Sequence, residues 1–401
     1  WEPVVYTPEG GEQPAYDESL LQEVPNDIEI VKTNIWEPYS LYKKFTGKKA
    51  DKKIYSGFIS EGKKSNWTQD VSVFIRGNFF IPDARKFWIK PSIKFLKNYL
   101  NDHPVDAIIS TGPPHSMHMI ALGVKKYHNI PWIADFRDPW TQIDFYDQLK
   151  LTKLGDRKHK RMEQQVLKEA DKIVAIGWNM IKDFQKITDR SLEDMLIVTN
   201  GYDQADFESP AKVRTKDFVI CHLGSMNKDR NPRMLWKVLG DKVKADVAFA
   251  EKLKIVLIGN VDQSIVEALH ENGLKDQLDL RGFMPHKEVI EYMKTVQVLL
   301  LPINDTPNAM AILPGKLFEY MGAKRPIIGI GPEGDSDAAR VLNLTGAGSM
   351  HHYQDEEGIR NRVEELYNTY KNGSLEVDSN GIEQFSRRQL AGQFADILNK
   401  L

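Results

Sequence analysis

Residues 313–328 read Leu313-Pro314-Gly315-Lys316-Leu317-Phe318-Glu319-Tyr320-Met321-Gly322-Ala323-Lys324-Arg325-Pro326-Ile327-Ile328. This segment combines the signals of a helix, a turn and a buried strand. Proline is favoured in the first helical turn, because its fixed φ suits the helix and its missing N–H would be unpaired there anyway. Pro314 therefore predicts a helix start, and the isoleucines after Pro326 predict a buried strand. Such a unit is typical of an α/β fold.

The same helix carries two charged side chains that suit a nucleotide. Backbone amides at a helix N-terminus attract anions, and Lys316 lies in the first turn, so the segment predicts a diphosphate site. Glu319 follows three residues later on the same face and can accept hydrogen bonds from ribose hydroxyls. A surface Lys–Glu ion pair would give the same spacing, so the spacing leaves both interpretations open.

On both sides of this segment, short apolar runs alternate with segments of helical period, which is the pattern of parallel sheets covered by helices. The helices predicted in the second half include Pro232–Ala250 and Ser264–Asn272. The predicted strands are Pro3–Thr7, Ile28–Lys32, Val71–Arg76, Asp106–Ser110, Pro131–Asp135, Lys172–Ile176, Leu196–Thr199, Phe218–His222, Lys254–Ile258, Leu278–Gly282, Val296–Leu301, Pro326–Ile330 and Gly346–Met350.

Two doubly wound domains account for this series, and such sheets bind ligands beyond the carboxyl ends of their strands. The polar stretch from Asp203 to Asp217 has no clear period and predicts the linker. We expect domains at 1–205 and 206–378, and a C-terminal helix within 379–401 that packs back on the first domain. Because the chain opens inside what reads as a second strand, we expect that the first strand–helix unit is missing.

Composition excludes several classes of protein. The 401 residues are 41% hydrophobic and include 54 basic and 56 acidic side chains, so a net charge of −2 gives no overall attraction to nucleic acid. A single cysteine, Cys221, excludes an internal disulfide and indicates a reducing compartment. No apolar run approaches the roughly 18 residues of a membrane-spanning helix. We expect a cytoplasmic protein.

The segment at 313–328 resembles the donor-site helix of retaining GT-B glycosyltransferases of the group 1, or family 4, type. Six further segments resemble that family in the expected order, so that the resemblance spans essentially the whole chain. They are Asp106-Ala107-Ile108-Ile109-Ser110-Thr111-Gly112-Pro113-Pro114-His115-Ser116, Ile130-Pro131-Trp132-Ile133-Ala134-Asp135-Phe136-Arg137-Asp138-Pro139-Trp140, Val198-Thr199-Asn200-Gly201-Tyr202-Asp203, His222-Leu223-Gly224-Ser225, Ile255-Val256-Leu257-Ile258-Gly259 and Leu280-Arg281-Gly282-Phe283-Met284-Pro285.

The resemblance implies an α/β, GT-B fold in which two Rossmann-like domains face a central cleft. It implies transfer of a sugar from a nucleotide-sugar donor to the hydroxyl of a glycan or lipid-linked glycan, with retention of configuration. No Asp-x-Asp motif lies directly at a predicted strand end, so we expect a metal-independent reaction. No cofactor is expected, because the nucleotide sugar is a substrate.

The resemblance also assigns a donor site. Glu319 would bind the ribose, the amides of Gly282, Phe283 and Met284 would edge the base, and Arg230 would neutralise the leaving diphosphate. The complete expected donor set is Gly224, Ser225, Lys228, Arg230, Gly282, Phe283, Met284, Lys316, Leu317 and Glu319.

Four catalytic residues are expected in the first domain. His115 follows a strand where the family places a histidine near the reacting sugar; a helix-capping or core histidine is the alternative. Asp135, Arg137 and Asp138 follow the next strand and can hold acceptor or sugar hydroxyls. The alternative for these three is an internal ion-pair cluster.

Two positions depart from the family pattern. The family has paired glutamates seven residues apart, but Ala311 stands where the first is expected. The arginine common after the glycine of the opening donor strand is Ser225 here, although Lys228 can supply charge from the same loop. Both departures concern the donor sugar and its diphosphate more than the fold.

A second motif points to a different class of protein. Gly329-Ile330-Gly331-Pro332-Glu333-Gly334 fits the dinucleotide-binding pattern after a strand, with Asp355 about twenty residues later. Glu333 would, however, place negative charge beside a pyrophosphate, and the motif does not open its domain. An NAD-dependent oxidoreductase therefore stays an alternative, together with a sugar-nucleotide epimerase of related fold and a non-catalytic sugar-nucleotide-binding protein.

Residues 42–64 form a basic, aromatic segment. Eight lysines alternate with aromatic residues such as Tyr42 and Phe58, and Phe79, Phe80, Phe87 and Trp88 follow. Lysines beside aromatic side chains suit an anionic lipid surface, so we expect peripheral contact with the inner face of a membrane. A solvated loop followed by core aromatics is the alternative. The lysines are Lys43, Lys44, Lys48, Lys49, Lys52, Lys53, Lys63 and Lys64.

Overall fold

The computed structural model describes residues 1–11, 24–37, 67–209, 215–373, 375–377 and 379–401. The chain divides into two compact units. The first contains residues 1–175, 181–197 and 395–401, and the second contains 176–180 and 198–394. Each unit is built on parallel strands and helices, which confirms the predicted α/β class. From the sequence we predicted a domain junction between residues 205 and 206. This boundary, and the predicted packing of the helix within 379–401 on the first domain, stay predictions.

The first unit contains two parallel sheets. Strands β1 and β2 pair with each other, and the second sheet has the order β3-β4-β5-β6. The strands are β1 Val4–Glu9, β2 Glu29–Asn34, β3 Ile108–Gly112, β4 Trp132–Phe136, β5 Lys172–Ala175 and β6 Met195–Ile197. The helices are α1 Trp67–Phe79, α2 Lys86–Asp102, α3 Ser116–His128, α4 Lys153–Glu169 and α5 Trp178–Ile187, of which α5 begins in the second unit and continues in the first.

Helices α2 and α3 share a core with strands of both sheets. Trp88 is 1% exposed and stacks on Tyr6 of β1 with ring centroids 5.0 Å apart. The Tyr6 hydroxyl donates to Ser92 Oγ at 2.9 Å, and the Trp88 indole donates to Thr33 Oγ1 at 3.0 Å. These polar contacts attach the β1–β2 pair to α2.

The strand predicted at Val71–Arg76 is wrong, because these residues lie inside helix α1. The β-branched residues Val71, Val73 and Ile75 alternate as in a strand. The apolar residues Val71, Phe74 and Ile75 also follow a helical spacing. A short apolar run fits both periods, and here the helix forms.

The second unit contains one parallel sheet with the order β12-β11-β10-β7-β8-β9. Its strands are β7 Phe218–Leu223, β8 Leu253–Ile258, β9 Leu278–Arg281, β10 Val298–Pro302, β11 Ile327–Ile330 and β12 Gly348–His351. Its helices are α6 Arg233–Ala245, α7 Val247–Lys252, α8 Gln263–Glu271, α9 His286–Thr295, α10 Gly315–Gly322, α11 Asp337–Thr345, α12 Glu356–Lys371 and α13 Arg387–Leu398, the last of which ends in the first unit.

Strands β7, β10 and β11 are buried at every residue, as expected for parallel strands covered on both faces. The helix predicted at Pro232–Ala250 is broken into α6 and α7. Its break is at Asp246, whose carboxylate accepts the Phe249 N–H at 3.0 Å and caps α7. Within the described ranges, no helix is long and apolar enough to cross a membrane.

Candidate functional site

In the second unit, a turn follows the carboxyl end of central strand β7. The chain turns at Gly224, whose φ of +107° lies in the region that favours glycine. Gly224 N donates to Ile258 O at 2.7 Å, which fixes the turn against β8. A Cβ at Gly224 would lie 2.5 Å from Nζ of Lys316. The turn therefore leaves space for a lysine from a distant helix.

Lys316 lies in the first turn of α10 and donates from Nζ to the carbonyl oxygen of Leu223 at 2.7 Å. Burial lowers the pKa of its ammonium to about 7, and the nearby Arg230 contributes to the shift. The structure does not show the surface Lys–Glu ion pair that the spacing also allowed, because Nζ is directed at a backbone carbonyl. A partly buried cation with a pKa near neutrality therefore lies at the carboxyl end of β7.

Arg230 provides a second cation beside this turn. Its Nε donates to Oδ1 of Asn304, and its Nη1 donates to the carbonyl oxygen of Ser225 at 3.2 Å. Asn304 is 4% exposed and follows β10, the strand that pairs with β7. The Tyr353 hydroxyl donates to Asn304 O at 2.7 Å. Asn304 and Tyr353 therefore hold the guanidinium of Arg230 in place.

Glu319 lies one turn after Lys316 on α10, and its side chain is partly buried. Among the described residues, no group donates a hydrogen bond to its carboxylate. Burial raises its pKa, while the nearby His286 and Lys316 oppose the shift. His286 approaches Asp206 with Nε2 3.3 Å from Oδ2. A partly buried carboxylate without a protein donor is suited to accept hydroxyl groups from a ligand.

The other predicted donor residues have different environments. Gly282 and Phe283 follow β9; a Cβ at Gly282 would meet nothing within 4 Å, and Phe283 is 89% exposed. Met284 is partly buried and Lys228 is exposed. Leu317 is fully buried and its amide donates to Pro314 O at 3.1 Å, so its side chain belongs to the core.

In the first unit, His115 follows β3 and begins α3. Its ring is 8% exposed and stacks on Trp140, with centroids 4.6 Å apart and planes 2° apart. Its buried Nδ1 has no hydrogen-bond partner in the described part of the chain. Burial lowers the pKa of His115 well below its ordinary value, and His118 nearby acts in the same direction. His115 is therefore neutral at physiological pH.

Asp135 and Arg137 form a two-point ion pair at the end of β4. Arg137 Nε lies 2.8 Å from Asp135 Oδ2, and Nη2 lies 2.8 Å from Oδ1. Burial still raises the pKa of Asp135. Asp138 is not in this pair: its side chain is solvent-exposed, yet the surrounding protein and Asp144 raise its pKa to about 6. Asp135 and Arg137 therefore form the internal ion pair that the sequence analysis gave as the alternative to ligand contacts.

Part of the chain matches a known protein family. Residues 217–369 match the family model described as Glycosyl transferases group 1. The matched segment lies within the second unit. This match confirms the resemblance of the donor-site segments, which all lie in or next to the matched range.

Three solved structures share the fold of the chain. The glycosyltransferase from Rickettsia africae ESF-5 is 12% identical with a TM-score of 0.58, and the match covers 96% of this chain and 86% of that chain. Trehalose-6-phosphate synthase OtsA is 11% identical, with coverage of 100% and 92% and a TM-score of 0.60. The lipopolysaccharide outer core galactosyltransferase WaaB, in its apo form, is 13% identical, with coverage of 96% and 87% and a TM-score of 0.55.

At these identities the likeness concerns the fold, and it confirms the predicted GT-B class. No curated protein matches the chain by sequence at a significant level.

Several residues around the predicted donor site escaped the sequence analysis. Asn304 contacts the predicted Arg230, Tyr353 contacts Asn304, and the His286–Asp206 pair lies near Glu319. A usable signal existed for Asn304, because a polar residue directly after a buried central strand lies at the end of the sheet where ligands bind. Tyr353 carries no comparable signal, since its contact is made across 49 residues.

Three sequence features of the second unit can now be placed. Ala311 ends a short 3-10 turn, Ala309–Ala311. Asp337, the last residue of an Asp-Ser-Asp sequence, is fully buried and accepts the Asn179 N–H and amide side chain, so it has structural partners within the second unit. Glu333, which belongs to the glycine motif, has a carboxylate oxygen within 4.8 Å of ligand atoms of His351 and Asp355. These carboxylates disfavour a dinucleotide pyrophosphate.

The lysine segment 42–64 lies outside the described residues. Of the aromatic residues that follow it, Trp88 belongs to the core, whereas Phe79 is 61% and Phe87 41% exposed. Lys86 Nζ lies 4.9 Å from the ring centroid of Phe87. Two exposed phenylalanines and a lysine therefore occur at the surface of the first unit.

Proposed function

We propose that this chain is a retaining, metal-independent glycosyltransferase that moves a sugar from a nucleoside-diphosphate sugar to a hydroxyl of a glycan or lipid-linked glycan. One observation carries the proposal. At the carboxyl end of the sheet of the second unit, the partly buried carboxylate of Glu319 accepts no hydrogen bond from any described residue, while Lys316 on the same helix and Arg230 provide two cations.

Each group has a chemical role in this proposal. The Glu319 carboxylate accepts hydrogen bonds from the ribose hydroxyls. Lys316, Arg230 and the exposed Lys228 contact the diphosphate, and the first amides of α10 face the same anion. Positive charge at this position stabilises the charge that develops on the leaving phosphate, which is often the largest electrostatic contribution to such reactions. The backbone amides of Gly282, Phe283 and Met284, which follow β9, contact the edge of the base.

The first unit contributes the remaining residues. We assign the neutral His115 to contact with the transferred sugar, because a neutral imidazole can donate or accept a hydrogen bond without competing for the diphosphate. Asp138, with its raised pKa, and the Asp135–Arg137 pair are assigned to sugar or acceptor hydroxyls. The acceptor attacks on the face from which the nucleoside diphosphate leaves, without a protein nucleophile. The cations and amides replace a divalent metal, and no cofactor is required.

A cytoplasmic location with peripheral contact to an anionic membrane fits a lipid-linked acceptor. The proposed contact uses residues 42–64 together with the exposed Phe79 and Phe87. A lysine near an anionic surface contributes about 1 kcal/mol, so several lysines suffice for reversible attachment at a net charge of −2.

The deciding experiment incubates the protein with a panel of nucleotide sugars and acceptors, with and without EDTA, and measures released nucleotide and the anomeric configuration of the product. We expect acceptor-dependent release, retained configuration and unchanged turnover in EDTA. Glu319→Ala should lose activity, and the exposed Glu271→Ala should keep it.

Other outcomes would replace the proposal. An epimerised donor would indicate an epimerase, tight binding without turnover would indicate a binding protein, and reduction of NAD would indicate an oxidoreductase. Loss of turnover in EDTA, restored by Mg²⁺ or Mn²⁺, would reject metal independence alone.

A further inference from the structure

Three potential metal ligands meet at the edge of the sheet of the second unit, and none of them is a residue assigned to the donor. Glu333 lies in the loop after β11, His351 ends β12, and Asp355 precedes α12. One ligand atom from each lies within 4.8 Å of the others. The loop, the strand end and the helix start are thereby brought to one point.

Each of the three side chains is oriented by a neighbour that occupies only one of its polar atoms. Ser349 Oγ lies 2.8 Å from His351 Nε2, the His352 N–H donates to Glu333 Oε1 at 2.7 Å, and the Gly358 N–H donates to Asp355 Oδ1 at 2.9 Å. No described residue hydrogen-bonds to His351 Nδ1 or to the second carboxylate oxygens of Glu333 and Asp355. Metal ligands in proteins are usually oriented in this way by a hydrogen bond to their other atom.

The distances suit coordination better than a direct hydrogen bond. His351 Nδ1 and Asp355 Oδ2 are 3.6 Å apart, which is long for a hydrogen bond. In a tetrahedral site with metal–ligand bonds of about 2.1 Å, two ligand atoms lie about 3.4 Å apart. Glu333 is exposed, so its carboxylate can move the remaining distance at little cost.

We propose that Glu333, His351 and Asp355 bind one divalent transition-metal ion, of which Zn²⁺ fits best, with water completing the coordination. Imidazole favours Zn²⁺ over Mg²⁺, and two carboxylates balance the charge of a divalent ion. The ion joins the β11 loop to the start of α12. It plays no part in the proposed donor contacts, so this proposal does not rest on sugar transfer.

The test is calorimetric titration of ZnCl₂ into the tag-free, metal-stripped chain, with thermal unfolding measured in parallel. We expect one Zn²⁺ per chain, a higher Tm with Zn²⁺, and much weaker binding of Mg²⁺. Cys221 does not compete, because it is fully buried.

The variants are chosen to keep the fold. Asp355→Asn retains a good helix-capping residue, and Glu333→Gln retains the acceptor for His352; each should weaken Zn²⁺ binding at least tenfold, as should His351→Ala. The exposed His270→Ala is the matched control and should bind as the wild type does. Absence of stoichiometric binding, or binding that none of the three variants weakens, would overturn the proposal.

Discussion

The ammonium of Lys316 donates to the carbonyl oxygen of Leu223, directly beside the turn at Gly224. Gly224 has φ +107°, and a methyl group there would lie 2.5 Å from Lys316 Nζ. The position of a cation in the proposed donor site therefore depends on the backbone of a turn 92 residues earlier in the chain (316 − 224).

The first prediction concerns this turn. Gly224→Ala should lower the free energy of unfolding by about 1–3 kcal/mol, because a non-glycine residue is strained at this φ. It should also displace Lys316 and weaken nucleoside diphosphate binding. Denaturant unfolding and calorimetry measure the two effects. Gly392→Ala is the control, since it lies in α13 with open space around it and should be neutral or stabilising. A Gly224→Ala protein with wild-type stability would show that the turn tolerates a side chain.

The second prediction concerns pH. The pKa of Lys316 in the fold, about 7, is lower than its ordinary value of 10.5. Between about pH 7 and pH 10.5, the unfolded chain binds a proton at Lys316 that the folded chain does not bind. The free energy of unfolding should therefore increase as the pH rises through this range, and it should be lowest below pH 7. A diphosphate favours the protonated ammonium, so binding at pH 8 should take up as much as one proton.

Calorimetry in buffers of different ionisation enthalpy measures that uptake. Lys316→Met is the matched variant, because it retains the apolar stem and removes the titrating group. Ionisation of the ligand phosphate affects both proteins equally. Equal proton uptake in wild type and variant would show that Lys316 does not titrate with the ligand.

The third prediction tests Glu319. Glu319→Ala should weaken nucleoside diphosphate by about 1.5–3 kcal/mol, since hydrogen bonds to a charged group contribute that much each. The effect should be equally large for the unphosphorylated nucleoside, because the proposed contact is to the ribose. Glu271→Ala, an exposed change of the same charge on α8, should bind normally. Unchanged affinity in Glu319→Ala would remove this residue from the donor site.

The fourth prediction separates phosphate contacts from ribose contacts. Arg230→Ala should weaken nucleoside diphosphate far more than nucleoside, because only the diphosphate carries the charge being neutralised. Asn304→Ala should produce part of the same loss, since Asn304 accepts from Arg230 Nε. Arg388→Ala, which removes an exposed arginine, is the control. Equal losses for both ligands would show that Arg230 acts on the fold instead of the phosphate.

The parts of the fold that the sequence predicted well are those with a single interpretation. Strand β10 is a continuous apolar run, and Pro314 marks the start of α10 within one residue. The wrong strand at Val71–Arg76 arose where an apolar pattern fitted two periods. In such cases the packing of the folded chain, which the local sequence does not contain, makes the choice.

The candidate site shows the same limit. The three-residue spacing predicted that Lys316 and Glu319 lie on one helix face. It did not predict the hydrogen bond from Lys316 to the carbonyl oxygen of Leu223. Arg230 and Asn304 are 74 residues apart, and their contact requires the pairing of β7 with β10. The sequence of Asp135 and Arg137 was compatible both with ligand contacts and with an ion pair. The distances between their side-chain atoms show the ion pair.

The last prediction concerns the membrane. If residues 42–64 contact anionic lipid, the protein should cosediment with anionic liposomes at low salt, and high salt should release it because the attraction is screened. Neutral liposomes should not bind. Changing Lys48, Lys49, Lys52 and Lys53 to glutamine should reduce binding strongly, since each lysine contributes about 1 kcal/mol. Phe79→Ser with Phe87→Ser should reduce it further if these exposed rings enter the interface.

A matched control removes the same charge elsewhere. Lys252, Lys275, Lys287 and Lys371 are exposed lysines of the second unit, and changing these four to glutamine alters the net charge equally. If both quadruple variants lose binding to the same extent, the attraction is general and residues 42–64 have no special role. Equal recovery of all proteins in the supernatant under every condition would favour a soluble acceptor, because a lipid-linked substrate requires the enzyme to reach the membrane surface.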